Sequence, residues 1–293
     1  MFSGSMVALV TPMQEDGNVD YPALEQLVNF HIENQTDAIV SVGTSGESAT
    51  LSHDEHMDVV KHTLLFANGR VPIIAGTGSN STSEAIELTA RAKNSGAAAA
   101  LIVVPYYNKP EQHGLYAHFK AIAEAVDIPQ ILYNVPGRTS RNMDNDTVIR
   151  LAEMSNIVGI KDATADMQAG EELIANTPED FFVVSGDDGT TLELMRRGAK
   201  GCISVTANVA PQAMHNMCAL GLAGDFDAAE AINGRLQALH DGLFIEANPI
   251  PAKYAVARLG LMGHAIRLPL TPLSEQYHDK VDQAIVAAGL TLA

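Results

Sequence analysis

Asn156-Ile157-Val158-Gly159-Ile160 is an apolar run that Lys161 closes and Asp162 follows. It has no clean alternation of apolar and polar residues, which is typical of a parallel strand covered on both faces. We therefore predict a fully buried parallel strand. The lysine that closes it needs its own explanation, because lysine is among the residues least often buried without a partner.

Further short apolar runs recur along the chain, separated by longer segments of helical period. With the run above they make eight: Met6 to Val10, Ala38 to Val42, Val71 to Ala75, Ala99 to Val104, Gln130 to Leu132, Ile157 to Ile160, Phe181 to Val184 and Gly201 to Val205. The amphipathic stretches include Tyr21 to Asn34, Asp54 to Asn68, Thr82 to Asn94, Gly114 to Ala125 and Thr190 to Arg197. This alternation predicts an α/β fold, a (β/α)8 TIM barrel. A doubly wound open sheet is the alternative, but no G-x-G-x-x-G motif follows the first run.

The strand pattern stops after Gly224. Asp225 to Leu239, Ala252 to Leu259 and Ser274 to Ala288 have the pattern of three further helices. We predict a barrel over residues 1–224 and a C-terminal three-helix appendage over residues 225–293. So few short helices make a marginal core alone, and we expect them to pack against the barrel or another subunit.

Composition excludes several classes of partner. The net charge of −17 argues against nucleic acid and anionic membranes, because both need clustered Lys and Arg. No apolar stretch reaches the ~18 residues of a membrane span, and the first five residues lack the basic start of a signal peptide. We therefore expect a cytoplasmic protein. Cys202 and Cys218 have neither C-x-x-C nor zinc spacing, so we expect two buried free thiols.

Reactive side chains lie at the ends of the predicted strands. The segments are Gly43 to Glu47, Gly76 to Gly78, Pro105 to Asn108, Tyr133 to Arg138, Lys161 to Asp162 and Ser185 to Asp188. Barrel active sites are assembled from loops at the C-terminal ends of the strands, so we expect these segments to converge on one rim.

Lys161 is the candidate nucleophile of that rim. Taking a lysine out of water lowers its pKa from about 10.4 toward the range where the free amine exists. A free amine at a barrel strand end can form a Schiff base with a carbonyl substrate. The alternative is a lysine that enters solvent or pairs with Asp162.

Tyr133 lies on the strand before that of Lys161 and can face it across the barrel mouth. Imine formation needs an acid that protonates the carbinolamine oxygen, and a phenol can supply that proton. Coupling to further hydroxyls, such as those of Thr44 and Tyr107, would help proton transfer. The alternative for each tyrosine is an amphipathic residue at a strand end.

Positive potential for an anionic substrate can come from Arg138, which follows a Pro-Gly turn and can clamp a carboxylate with its planar fork. Its alternative is an ordinary surface arginine. The Gly43-Thr44-Ser45-Gly46 segment offers backbone N–H groups and two hydroxyls to a small anion. His53-x-x-His56 has no third ligand at a recognisable spacing, so we predict no catalytic metal.

The chain resembles the pyruvate-dependent class I aldolase family, which includes N-acetylneuraminate lyase. The resemblance runs through most of the chain. It is carried by Gly4 to Pro12, Val42 to Glu47, Ala75 to Gly78, Pro105 to Asn108, Tyr133 to Arg138, Gly159 to Ala163, Ser185 to Asp188, Ser204 to Asn208 and Asn248 to Pro251.

The resemblance implies that pyruvate forms an imine with Lys161 and that its enamine attacks L-aspartate 4-semialdehyde, without a cofactor. The product would be 4-hydroxy-tetrahydrodipicolinate, the first committed intermediate toward diaminopimelate and lysine. The implied roles are a proton relay of Thr44, Tyr133 and Tyr107, a pyruvate carboxylate site at Ser45, Gly186 and Ile203, and a semialdehyde carboxylate site at Arg138. The family's more usual threonine is replaced by Ser45, which keeps the hydroxyl.

The resemblance also implies regulation and assembly. Relatives that L-lysine inhibits bind it at a subunit interface, through residues that match Ser48, Ala49, His53, His56, Asn80, Glu84 and Tyr106. It implies a homotetramer built as a dimer of tight dimers, with Tyr107 reaching into the neighbouring subunit. Lyases that cleave N-acetylneuraminate or keto-deoxy sugar acids are the rival, but they generally lack an arginine matching Arg138.

Overall fold

The computed structural model describes residues 2–293. Eight parallel strands close into a barrel in chain order, with the last strand paired to the first. They are β1 (Gly4–Ala8), β2 (Ala38–Ser41), β3 (Ile73–Gly76), β4 (Ala99–Val103), β5 (Gln130–Asn134), β6 (Ile157–Asp162), β7 (Phe182–Ser185) and β8 (Gly201–Ser204). The predicted barrel is confirmed, and the open-sheet alternative is wrong.

Helices follow the strands and cover the outside of the barrel. They are α1 (Tyr21–Glu33), α2 (His53–Ala67), α3 (Thr82–Ser95), α4 (Gln112–Ala125), α5 (Pro136–Thr139), α6 (Asn145–Leu151), α7 (Met167–Asn176), α8 (Thr191–Arg196) and α9 (Pro211–Leu222). The appendage adds α10 (Phe226–Gly242), α11 (Ile250–Arg258) and α12 (His278–Ala287). The division of the chain after residue 224 stays a prediction.

Two strand ends differ from the sequence prediction in a way that matters for the site. The apolar runs of the fifth and sixth strands end at Leu132 and Ile160, but β5 and β6 continue for two more residues. The ladder continues because Tyr133 pairs with Lys161 and Asn134 with Asp162. These side chains therefore lie on rigid strands and not in the loops that follow.

The apolar residues form two clusters. The larger one lies between the strands and the surrounding helices and includes Leu27, Val60, Phe119 and Leu236. The smaller one fills the barrel interior and includes Met6, Ile131 and Phe182. It reaches Tyr133 near the carboxyl ends of the strands, which is where the filled interior gives way to a cavity.

The two cysteines are where the sequence places them. Cys202 on β8 and Cys218 on α9 are buried and unbonded, with their Sγ atoms 3.8 Å apart. The prediction of two buried free thiols is confirmed. None of the helices within residues 2–293 combines the length and the apolar character that crossing a membrane requires.

Candidate active site

Lys161 and Tyr133 are the centre of the site. They are direct neighbours on β6 and β5, and the Lys161 Nζ lies 4.3 Å from the centroid of the Tyr133 ring. The two residues are only 5% and 7% exposed. The rim therefore brings together an amine and a phenol in a site that excludes most water.

Asp162 does not pair with Lys161. Its carboxylate accepts hydrogen bonds from the backbone N–H and the hydroxyl of Thr164, both at 3.1 Å. Burial raises the pKa of Asp162, and the two hydrogen bonds partly oppose that rise. Among the ion pairs of residues 2–293 none includes Lys161, so the alternative of a paired lysine is wrong.

A cavity of about 120 Å³ opens above Lys161. Its lining residues come from the barrel interior, the loops after the strands and the appendage: Ala8, Val40, Gly43, Thr44, Ser45, Leu101, Tyr133, Val135, Arg138, Lys161, Ala163, Gly186, Asp187, Val205, Phe244 and Asn248. A cavity of this size suits a small carbonyl compound. Ile203 lies inside the barrel at 1% exposure, but Val205 takes its expected place in the cavity lining.

Ser45 and Arg138 share one partner, Asn248, which precedes α11. The Asn248 Nδ2 donates to the Ser45 Oγ at 2.9 Å, and the Asn248 carbonyl accepts from the Arg138 Nη2 at 3.0 Å. Because Ser45 accepts this bond, its own hydroxyl proton is left for a ligand in the cavity. The hydroxyl and the guanidinium thus supply two donors for carboxylate groups.

Tyr107 is not brought to this cavity. Its side chain is 89% exposed, and its backbone has a φ of 75°, in the left-handed region that a bulky residue rarely adopts. Thr44, by contrast, lines the cavity. Of the three expected relay residues, this chain therefore assembles Thr44 and Tyr133 around Lys161.

A second cavity of about 480 Å³ is also lined by the loop after β2. Six of the seven residues expected to bind L-lysine line it: Ser48, Ala49, His53, His56, Glu84 and Tyr106. The seventh, Asn80, donates through its Nδ2 to the Tyr106 carbonyl at 3.0 Å. The two cavities share Thr44, Val135, Arg138 and Asn248 as a common wall.

The two histidines of this cavity differ in their surroundings. The His53 Nε2 lies 2.8 Å from the Glu84 Oε1, at the exposed side. The His56 Nε2 donates to the Gly76 carbonyl at 2.7 Å, and burial lowers the pKa of His56. Within residues 2–293 no group of three or more His, Cys, Asp or Glu side chains could hold a metal ion.

Three residues of the site were missed by sequence reasoning. Asn248 lies in the Asn248 to Pro251 motif without a role of its own, and no sequence pattern assigns a role to Phe244 at the cavity mouth or to Lys253 on α11. The Lys253 Nζ lies 2.5 Å from the Glu47 Oε1, with both side chains almost fully buried. A lysine inside a helical pattern gives no signal that its partner lies in a barrel loop.

Comparisons with known proteins agree with this geometry. The model of the dihydrodipicolinate synthetase family matches residues 1–288. A 4-hydroxy-tetrahydrodipicolinate synthase of Thioalkalivibrio sulfidiphilus is 60% identical, over 100% of this chain and 99% of the relative.

Two solved structures are also similar. One is a chloride-inhibited dihydrodipicolinate synthase of Acinetobacter baumannii complexed with pyruvate, with a TM-score of 0.98, 56% identity, and coverage of 99% of this chain and 100% of the other. The other is a synthase of Cyanidioschyzon merolae with lysine bound, with a TM-score of 0.96, 42% identity, and coverage of 99% of both chains.

Proposed function

The chain belongs to the dihydrodipicolinate synthetase family, and on that premise we propose that it condenses pyruvate with L-aspartate 4-semialdehyde to 4-hydroxy-tetrahydrodipicolinate. It is a lyase of that family, which serves the lysine pathway. We propose that the enzyme acts in the cytoplasm. The observation that carries the proposal is the unpaired Lys161 amine, 4.3 Å from the centroid of the Tyr133 ring in a small cavity.

The first half-reaction follows from the two side chains. The Lys161 amine attacks the ketone carbon of pyruvate, and the Tyr133 phenol protonates the carbinolamine oxygen, which leaves as water. The resulting imine draws electrons from the pyruvate methyl group, and the Tyr133 phenolate left by the previous step takes a proton from that group, which converts the imine to an enamine. Ser45 donates its free hydroxyl proton to the pyruvate carboxylate, which fixes the orientation of the ketone.

The second half-reaction forms the carbon–carbon bond. The enamine carbon attacks the aldehyde of L-aspartate 4-semialdehyde, and the new alkoxide takes a proton from the relay. The amino group of the semialdehyde then attacks the imine carbon and displaces Lys161, which closes the ring and frees the enzyme. Arg138 holds the carboxylate of the semialdehyde at the cavity entrance.

Borohydride trapping tests the imine. Pyruvate with borohydride should leave a reduced adduct on Lys161, located by mass spectrometry of peptides. Lys161→Ala should abolish both the adduct and semialdehyde consumption, whereas Lys93→Ala, which changes an exposed lysine on α3, should alter neither. Folded wild-type protein without an adduct at Lys161 would contradict the imine mechanism. An adduct without semialdehyde consumption would indicate a sugar-acid lyase that uses the same lysine.

L-lysine is the proposed inhibitor, bound in the 480 Å³ cavity. Glu84 supplies a carboxylate for an ammonium group of the inhibitor. Asn80, Tyr106 and His56 supply further polar groups around the inhibitor. Support also comes from the lysine-bound synthase of Cyanidioschyzon merolae. Glu84→Ala should raise the lysine concentration for half-inhibition while Glu87→Ala, on the same helix and exposed, leaves it unchanged. An initial rate insensitive to millimolar lysine would refute the regulation alone.

A further inference from the structure

The Glu47–Lys253 ion pair has no role in the mechanism above. Lys253 lies on α11 in the appendage, and Glu47 lies in the loop after β2 that carries Thr44 and Ser45. Their side chains are 2% and 1% exposed. Burying two charges is costly, so a pair at this depth is weak evidence for stability and calls for another explanation.

The catalytic loop, residues 43–50, is folded around Glu47. Glu47 has a φ of 58°, a conformation that persists in a residue other than glycine only where its surroundings fix it. Its N–H donates to the Thr44 carbonyl at 3.1 Å, and its carbonyl accepts from the Thr50 N–H at 3.0 Å. A displacement of Glu47 would therefore move the backbone of Thr44 directly.

The appendage holds the Glu47 carboxylate from two directions. The Lys253 Nζ reaches the Oε1 at 2.5 Å, and the Arg267 backbone N–H donates to the Oε2 at 3.1 Å. The Arg267 side chain also donates to the Thr50 carbonyl at 2.8 Å. No other carboxylate of residues 2–293 forms an ion pair with Lys253.

We infer that Glu47 and Lys253 are positioning residues, through which helix α11 sets the place of the Thr44 and Ser45 hydroxyls over Lys161. The inference rests on the proposed function, because it assigns those hydroxyls to pyruvate. Misplacement of a catalytic group by about 1 Å can cost roughly 10²-fold in rate even when the mutated residue is remote. The pair thus links the appendage to a site built mainly on the barrel.

Variants of the pair separate positioning from stability. Lys253→Met leaves a lone buried carboxylate and should lower the thermal midpoint. The double variant Glu47→Gln/Lys253→Met has no lone charge and keeps an acceptor for the Arg267 N–H, so it should recover much of that loss. Glu47→Asp keeps both charges but shortens the reach by one methylene, so the loop must shift to keep the bond.

The measurement is the pyruvate concentration that gives half-maximal borohydride trapping at Lys161. We expect it to rise about tenfold in the double variant and less in Glu47→Asp, on the scale of remote misplacement. The half-saturating semialdehyde concentration should change less than about twofold, because Arg138 is held by the backbone carbonyl of Asn248, whereas the catalytic loop contacts the Asn248 side chain through Ser45. If the pair were merely structural, its variants would have a lower thermal midpoint, but pyruvate half-saturation would not change more than semialdehyde half-saturation.

Arg258→Met is the matched control. Arg258 lies on the same helix, but its guanidinium pairs with Asp282 of α12, away from the catalytic loop. It should lower the thermal midpoint and leave pyruvate half-saturation unchanged. Wild-type half-saturation in the folded double variant would overturn the inference while leaving the imine mechanism intact. Failure of all three pair variants to fold would also overturn it, and a wild-type protein without trapping would refute both proposals.

Discussion

Because Gly186 has no side chain, there is space beside it for the side chain of Lys161. A methyl group on Gly186 would lie 2.9 Å from the Lys161 Cε and 2.7 Å from the Ala163 Cβ, closer than such atoms normally approach. Gly186→Ala should therefore displace the amine and reduce imine trapping by roughly 10²-fold, the scale of a misplaced reacting group. Gly189→Ala is the control, because its nearest contact is an ordinary 3.8 Å to the Asp187 Oδ2. Equal trapping by both variants would contradict this account of Gly186.

Tyr133 offers a test of the proton donor. Tyr133→Phe keeps the ring beside the Lys161 Nζ and removes only the hydroxyl. Imine formation should slow by roughly 10²–10⁴, the contribution typical of a general acid. Stopped-flow trapping measures the rate. Tyr116→Phe, whose ring stacks under Arg150 instead, should leave it unchanged. An unaltered rate in Tyr133→Phe would assign the proton to another group.

At the scale of elements, the first turn of α2 supports the loop that lines both cavities. Ser52 and Glu55 form a capping box, in which each side chain bonds the backbone N–H of the other residue. Ser52→Ala should cost about 1 kcal/mol of unfolding free energy, as N-cap removal typically does. Ser81→Ala at the start of α3 is matched, because Ser81 makes no side-chain cap hydrogen bond. Similar losses in urea unfolding for both variants would refute the assignment of the cap.

At the scale of the whole molecule, the exposed Tyr107 points to a shared active site. We propose a homotetramer of two tight dimers in which Tyr107 completes the relay of the neighbouring subunit. Lys161→Ala and Tyr107→Phe variants should each be impaired, and mixing them through unfolding and refolding should restore activity. A mixed dimer then contains one complete site. Activity that stays at the average of the two separate variants would place Tyr107 in its own subunit's site.

Buried histidines on different helices couple the fold to pH. Burial lowers the pKa of His31 to about 3 and that of His118 to about 4, from 6.5. The Nε2 atoms of both lack a hydrogen-bond partner among the described residues, so the protonated rings would each carry a buried unpaired N–H. The unfolded chain binds these protons first as the pH falls. The stabilisation is therefore complete above pH 6.5 and is lost as the pH falls toward 3 to 4.

The slope of the unfolding free energy against pH should approach about 1.4 kcal/mol per pH unit for each histidine, which is the value for the uptake of one proton. Urea unfolding between pH 7 and pH 4.5 measures it. His31→Gln should reduce the slope, whereas His113→Gln, at an exposed position, should not. If His31→Gln left the slope unchanged, groups other than His31 would cause the loss of stability at low pH.

The sequence by itself determined the barrel and which reactive side chains lie at its rim. Apolar runs and helical periods are local patterns, and parallel strands bring their carboxyl ends to one edge whatever the details of packing. The sequence therefore places Lys161, Tyr133, Thr44 and Ser45 together at one rim. The ends of the strands do not follow from the apolar pattern, because the ladder between β5 and β6 continues through polar residues.

Only the tertiary structure decided how the appendage meets the barrel. The Asn248–Ser45 and Lys253–Glu47 contacts join residues 203 and 206 positions apart. No local pattern encodes such pairs, since they depend on where α11 docks. The same holds for the room at Gly186 and the exposure of Tyr107. Periodicity along a chain fixes which elements form, whereas the distances between side chains are set by packing between elements.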